Sequence, residues 1–137
     1  MSRHLGIDYG TKRCGLAISD GIGLTARPLE VVSRDDVVDR VVAVVDECGV
    51  GGIIIGMPTG MGGQEGNSAE GARELGAEIA EVTQIEVEYV DERFTSRLAE
   101  GSLLESGMKR RDRRETVDKV AAAIILQTYL DRHYREL

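Results

Sequence analysis

Three acidic positions stand where chemistry would need them. Asp8 closes the short apolar run Leu5-Gly6-Ile7, the pair Asp91-Glu92 ends another from Ile85 to Val90, and Asp118 lies on a strongly apolar helical stretch. Asp8 by itself reads equally well as an Asx-turn residue opening a hairpin at Gly10. Asp91 and Glu92 read equally well as a strand end ahead of a helix cap. Alternation does not choose between them, because Asp91 shares a face with Val87 and Tyr89 while Glu92 shares one with Val90. Asp118 is the sharpest of the set. Val117, Val120, Ala121, Ile124 and Ile125 form the apolar stripe of its helix. At about 100° per residue, Asp118 falls beside Ala122 and Ile125, on the shoulder of that stripe. A carboxylate there is costly unless it is paired, hydrogen-bonded or bound to a metal. The plainer alternative is a first-turn acid favoured by the helix dipole by about 0.3–1 kcal/mol.

Taken together, carboxylates from a central strand, from the next parallel strand but one and from the last helix could converge at one sheet edge. Clustered carboxylates raise one another's pKa unless a cation neutralises them. Hard oxygen ligands with open positions suit Mg²⁺ or Mn²⁺, which retain waters and accept phosphate oxygens. Two such ions about 4 Å apart can activate a water and stabilise the leaving oxygen of a phosphodiester. No histidine, serine or cysteine constellation competes. His4 and His133 lie near the two ends of the sequence, and the helical spacing puts His133 on a solvent-facing last turn.

Other residues could hold phosphate. Lys12 and Arg13 flank the hairpin near Asp8. The glycine-rich stretch Thr59 to Gly66, with Gly62 and Gly63, leads into a helix whose N-terminal N–H groups could receive an anion. Arg93 follows the acid pair, either contacting the backbone of a nucleic acid or pairing with a neighbouring acid. Lys109, Arg110, Arg111, Arg113 and Arg114 form a basic run just before Asp118. Such a run reads either as a nucleic-acid contact that orders on binding or as a solvated loop.

The elements that must position these residues follow from periodicity. Leu5 to Tyr9, Cys14 to Ser19 and Leu29 to Val32 are short apolar runs with tight connections, an antiparallel meander. Val37, Val38, Val41, Val44, Val45 and Cys48 recur at helical spacing, with Ser33 as N-cap and Asp35 and Asp36 in the first turn. Gly51-Gly52 ends that helix, and Ile53-Ile54-Ile55-Gly56 reads as a strand buried on both faces. Asn67 or Ser68 caps a second helix with Ala72, Leu75, Gly76, Ile79 and Val82 on its face, and Ile85 to Val90 is a fifth strand. A third helix capped by Thr95 or Ser96 carries Leu98, Leu103 and Leu104. After a break from Gly107 to about Arg114, a last helix runs from about Glu115 to Arg135. The expected fold is α/β: a mixed five-stranded sheet, three meander strands plus two parallel ones, with helices on both faces. Strands one, four and five would then end at one edge, the edge at which ligands bind open α/β sheets.

The chain of 137 residues has the length of one domain. It carries 24 acidic and 17 basic residues, a net charge of −7, and is 42% hydrophobic and 30% charged. That composition is globular, not disordered. No apolar run approaches the roughly 20 residues of a membrane span, and the N-terminus lacks an apolar signal segment. Cys14 and Cys48 both fall in apolar elements and read as free buried thiols, which points to a reducing cytoplasm. The acidic balance argues against nucleic acid only as an average. Residues 1–107 hold 19 acids and 9 bases, whereas residues 108–137 hold 5 acids and 8 bases. Fourteen of the 17 cations are arginine, the side chain suited to bidentate phosphate contact. With one Phe, four Tyr and no Trp, a base-stacking platform is not expected, so recognition should rest on backbone shape and charge.

The same residues resemble a known family. Gly6-Ile7-Asp8-Tyr9-Gly10-Thr11-Lys12-Arg13, followed by Gly15-Leu16-Ala17-Ile18-Ser19-Asp20, is similar to the opening of the YqgF family. These are Holliday junction resolvase-like proteins, also described as pre-16S ribosomal RNA nucleases, with a ribonuclease H-like fold. The likeness continues through Ala26-Arg27-Pro28-Leu29, Gly56-Met57-Pro58 with Gly62, Gly63 and Gly66, Asp91-Glu92-Arg93-Phe94-Thr95-Ser96, and Asp118 with Ala121-Ala122. The Gly-x-Asp-x-Gly element alone is shared with sugar kinases and actin-like ATPases, which close two such domains around a nucleotide. The loop Thr59-Gly60-Met61-Gly62-Gly63 and Lys119 depart from the family's usual residues.

The resemblance implies that Asp8, Glu92 and Asp118 are the catalytic and metal-binding acids, favouring Glu92 over Asp91. It implies a single nuclease domain over 1–137 that uses Mg²⁺ or Mn²⁺, two ions, to cut structured nucleic acid. Its favoured role is 5′-end processing of precursor 16S ribosomal RNA, with ribosomal particles as possible partners. Branched DNA is the other substrate class, and a non-catalytic ribosome-assembly module is the alternative outside catalysis. A monomer or weak homodimer is expected, with no membrane partner; a dimer would let a resolvase cut symmetrically.

Overall fold

The computed structural model describes residues 3–57, 65–91 and 110–135; at 65–68, 91, 110–118 and 133–135 it describes the backbone alone. The elements are β1 (Arg3–Asp8), β2 (Arg13–Ser19), β3 (Ala26–Ser33), α1 (Val37–Cys48), β4 (Val50–Met57), α2 (Glu65–Thr83), β5 (Val87–Asp91) and α3 (Arg110–Arg135). The five strands form one sheet in the order β3-β2-β1-β4-β5. β1 is antiparallel to β2 and parallel to β4, β2 is antiparallel to β3, and β4 is parallel to β5. This is the expected meander plus two parallel strands, and the carboxyl ends of β1, β4 and β5 share one edge.

Each face of the sheet is sealed by its own apolar layer. Leu5, Ile7, Cys14, Leu16, Ile18, Ile53 and Ile55 pack with Val37, Val41 and Val44 of α1 and Ala72, Leu75 and Ile79 of α2. Ala17, Ile54 and Val90 pack with Ala122, Ala123, Ile125, Leu126 and Leu130 of α3. Ile53, Ile54 and Ile55 alternate between these layers, so a run without alternation is right for a strand covered on both faces. Each of these isoleucines is fully buried, contributing about 1.5–3 kcal/mol of hydrophobic stabilisation. No helix among the described residues is long and apolar enough to cross a membrane.

Several boundaries differ from the sequence expectation. α1 ends at Gly49, whose φ of 69° is left-handed, a conformation glycine adopts without a Cβ penalty; Gly51 and Gly52 are already in β4. Asp36 is the N-cap of α1 and makes no side-chain capping bond. Ser33 instead closes the turn before it: its Oγ accepts the Asp36 N–H at 3.3 Å and donates to Asp36 Oδ2 at 2.9 Å. α2 starts at Glu65, so Asn67 and Ser68 lie inside it and are not its caps. β5 starts at Val87 because Gln84, at φ 59°, turns the chain out of α2 first. β3 extends beyond Leu29–Val32 in both directions. α3 begins at Arg110, so Arg110 to Arg114 are helical, not part of a break. The helix expected to carry Leu98, Leu103 and Leu104 lies outside the described residues. Cys14 is a buried thiol outside any disulfide, whereas Cys48, on the last turn of α1, is only half-buried.

Candidate active site at the carboxyl ends of the strands

The turn that follows Asp8 is built tightly. A side chain at Gly10 would collide with the Arg13 carbonyl oxygen, so the chain reverses here only with glycine. The Cys14 thiol donates to the Gly10 carbonyl at 3.8 Å, and the Arg34 N–H donates to the Lys12 carbonyl at 2.9 Å. The hairpin between β1 and β2 is therefore held from inside and from the β3–α1 junction.

Strand parity assigns the neighbouring side chains to opposite faces. Leu5 and Ile7 belong to the α1/α2 layer, and Tyr9 packs against the same layer. His4, Gly6 and Asp8 have the other parity. His4 makes a ring contact with Tyr129 of α3, with centroids 5.6 Å apart. A Cβ on Gly6 would lie 2.8 Å from Leu126 Cβ and 3.0 Å from the Ala122 carbonyl oxygen. So β1 and α3 run past each other as a ladder: His4 with Tyr129, then Gly6 with Leu126 and Ala122. The next rung along β1 is Asp8, about 6.6 Å further on. The next helical turn before Ala122, about 5.4 Å away, holds position 118.

The row across the sheet at Asp8 is equally informative. Asp8 pairs with Gly15 of β2 on one side and with Gly56 of β4 on the other. Gly56 in turn pairs with Val90, which belongs to the α3-side layer. On this face Asp8 is thus flanked by two residues without side chains. A carboxylate on such a floor has lateral room for a hydrated cation and a phosphate, and its oxygens are the hard donors that Mg²⁺ and Mn²⁺ take. Arg13 has the parity of Gly15 and Ala17, which places this half-buried residue on the Asp8 face, at the same edge. Lys12 is exposed in the turn.

Position 91 pairs with Met57 and has the parity of Val87 and Tyr89, the α2 side of the sheet. Glu92, Arg93, Thr59, Gly62, Gly63 and Lys109 lie outside the described residues. Arg110, Arg111, Arg113, Arg114 and Asp118 are placed as backbone positions on α3. Among the described side chains, no group of three or more His, Cys, Asp or Glu gathers as a metal site; of the three candidate acids, only Asp8 is among them.

The buried face of α3 is turned from the expected stripe. Ala121, Ala122, Ile125, Leu126 and Leu130 are buried, while Ile124 and Val120 are only half-buried. The line 122, 126, 130 therefore runs down the packed face, and the backbone position 118 continues that line one turn earlier.

Sequence reasoning missed three structural contributors. The flanking glycines of Asp8 carried a readable signal, since glycine inside a strand marks a close approach. Gly71 and Gly76 of α2 receive the rings of Tyr9 and Tyr89, and only the second lies on the apolar stripe that the sequence marks. Gln127 clamps α3 to the β2–β3 hairpin: its Oε1 accepts the Ala26 N–H, and its Nε2 donates to the Leu24 carbonyl, both at 2.8 Å. Nothing local in sequence marks a contact 101 positions away.

Comparison with known proteins bears on the family and the fold. A family model described as "RuvX: Holliday junction resolvase" matches residues 2–132. A "Putative pre-16S rRNA nuclease" of Lactococcus lactis subsp. cremoris (strain SK11) is 40% identical over 142 residues, covering 100% of this chain and 99% of the relative. A protein of the same name from Anaeromyxobacter sp. (strain Fw109-5) is 44% identical over 135 residues, covering 96% and 98%. Among solved structures, Thermus thermophilus RuvC in complex with a Holliday junction substrate aligns with a TM-score of 0.61 at 16% identity, covering 98% of this chain and 96% of that one. At that identity the likeness is one of fold.

Proposed function

The chain belongs to the RuvX family of Holliday junction resolvases, and from that premise we propose that it is a metal-dependent endonuclease acting on structured nucleic acid. The favoured substrate is precursor 16S ribosomal RNA, as the names of its full-length relatives suggest, and 5′-end processing is the role that the family resemblance favours. Its place of action would be the cytoplasm, with the single domain of residues 1–137 as the working unit. The observation that carries the reading is Asp8 on its glycine-flanked floor, with position 118 one helical turn before Ala122 on the helix that packs against β1.

In this reading Asp8, Glu92 and Asp118 would hold two Mg²⁺ or Mn²⁺ ions. Position 91 has the parity of the α2 side of the sheet, away from Asp8, and the family resemblance favours Glu92 over Asp91. When bound, such ions supply charge stabilisation to the phosphodiester and lower the pKa of an attacking water. The chain's own contribution is to position. The carboxylates fix the cations, Arg13 and Lys12 meet the scissile or a neighbouring phosphate, and water displaces the leaving oxygen. Thr59, Gly62, Gly63, Arg93, Lys109 and the arginines at 110, 111, 113 and 114 guide the flanking backbone. A four-way DNA junction is the second substrate class, favoured by the description of the family.

The test is digestion of precursor 16S ribosomal RNA and a synthetic four-way junction side by side, with and without Mg²⁺ or Mn²⁺, using Asp8→Asn as control. Loss of a metal ligand should cost more than the 10–100-fold typical of an outer partner, with the fold retained. Undiminished cleavage by Asp8→Asn would sink the mechanism. Retained RNA binding with no metal-dependent cleavage of either substrate would favour a non-catalytic ribosome-assembly module.

A further inference from the structure

β1 ends by sending neighbouring residues to opposite faces, Asp8 toward α3 and Tyr9 toward α2. The Tyr9 ring is seated on the backbone of Gly71, where an added Cβ would lie 2.6 Å from Tyr9 Cζ. Arg34 lies over that ring, its Cζ 5.9 Å from the centroid, within cation–π range. Arg34 is engaged at two further points. Its N–H donates to the Lys12 carbonyl at 2.9 Å, and its guanidinium approaches Glu78 of α2 at 3.8 Å. Its side chain is only 23% exposed. One residue at the β3–α1 junction thus touches the hairpin backbone, the ring that follows Asp8, and α2.

We propose that Arg34 is a positioning residue, bracing the Tyr9–Arg13 hairpin against α2 and so holding Asp8 and Arg13 in place at the site. The proposal rests on reading Asp8 as a metal ligand. Because Tyr9 lies on the α2 side, the guanidinium stacked on it is across the sheet from Asp8. It acts through the hairpin and not by touching substrate. The coupling cannot exceed the interaction lost. The 3.8 Å approach to the half-exposed Glu78 adds little, so the cation–π contact at a partly exposed site bounds the effect to about two- to fivefold.

The experiment compares wild type with Arg34→Met, which keeps the apolar stem and the backbone bond to Lys12. Arg34→Lys, which keeps the cation, is the conservative rescue. Hydrogen exchange of the peptide Asp8–Cys14 in metal-free protein should be about two- to fivefold faster in Arg34→Met and near wild type in Arg34→Lys. The Mg²⁺ concentration for half-maximal cleavage should rise by a similar factor, while metal-free affinity for the nucleic acid and its salt dependence stay unchanged. Unchanged exchange overturns the brace whatever the nuclease does. Faster exchange with an unchanged Mg²⁺ requirement, or a loss of nucleic-acid affinity and salt slope, overturns the positioning role and makes Arg34 a scaffold or a phosphate contact. If wild type itself cleaves nothing with metal, the nuclease reading fails, and the exchange measurement still decides the brace.

Discussion

Leu126 of α3 rests directly on the backbone of Gly6, so close that a methyl group at residue 6 would sit 2.8 Å from Leu126 Cβ. The approach sets how near α3 comes to β1, and therefore how near position 118 comes to the end of the strand at Asp8. Packing and chemistry share one contact line.

Gly6→Ala should therefore do more than destabilise. Overpacking of this kind costs about 1–3 kcal/mol, read as a lower midpoint in denaturant. The displaced helix should also reduce metal-dependent cleavage at temperatures where the variant is fully folded. Wild-type cleavage by a folded Gly6→Ala protein would break the link between the ladder and the site.

Arginine is disfavoured in the first turn of a helix by the macrodipole, yet Arg110, Arg111, Arg113 and Arg114 occupy the start of α3. Replacing all four with glutamine should weaken nucleic-acid binding and flatten its salt dependence. Each lost phosphate contact removes about 0.9 from the log–log slope on a duplex and about 0.7 on a single strand. A filter-binding titration across salt concentrations reads both quantities, and unchanged affinity and slope would reassign the cluster to solvent.

Gln127→Ala removes both arms of the clamp on Leu24 and Ala26 and leaves two backbone groups to find water. A loss of about 1–3 kcal/mol is expected, measured by chemical denaturation. The Asp8 edge is at the other end of β1 from this hairpin, so cleavage by the folded variant should stay near wild type.

Asp20 offers a pH-dependent test away from the site. The Leu24 N–H, bonded at 2.9 Å, and the Thr25 hydroxyl hold its carboxyl below the ordinary value of 3.8, with desolvation opposing them. A lowered folded-state pKa contributes stability above the unfolded value that is lost as pH falls through the folded one. Asp20→Asn should thus be less stable than wild type at neutral pH, and the gap should close below about pH 4. A gap that persists in acid would mean that the turn depends on shape and not on charge.

Much of the architecture was legible because it is local. Short apolar runs and recurrence near 3.6 marked each described element, and the order of the elements implied the mixed sheet and the common edge for Asp8 and the ends of β4 and β5. Boundaries slipped where turn geometry overrode composition: Gly49 in place of Gly51-Gly52, the Ser33 turn ahead of α1, and α3 extending back to Arg110. Residues of one element report their own period, so the facing of Asp8 and Tyr9 to opposite sides was implicit in the chain. Relations between elements were not. Which turns of α3 lie on β1, how far its buried face rotates toward Ala122 and Leu126, which glycines flank Asp8, and the reach of Gln127 to Ala26 all depend on register. Register is set only when whole surfaces are packed together, since sliding or rotating a helix preserves its pattern and changes every contact it makes.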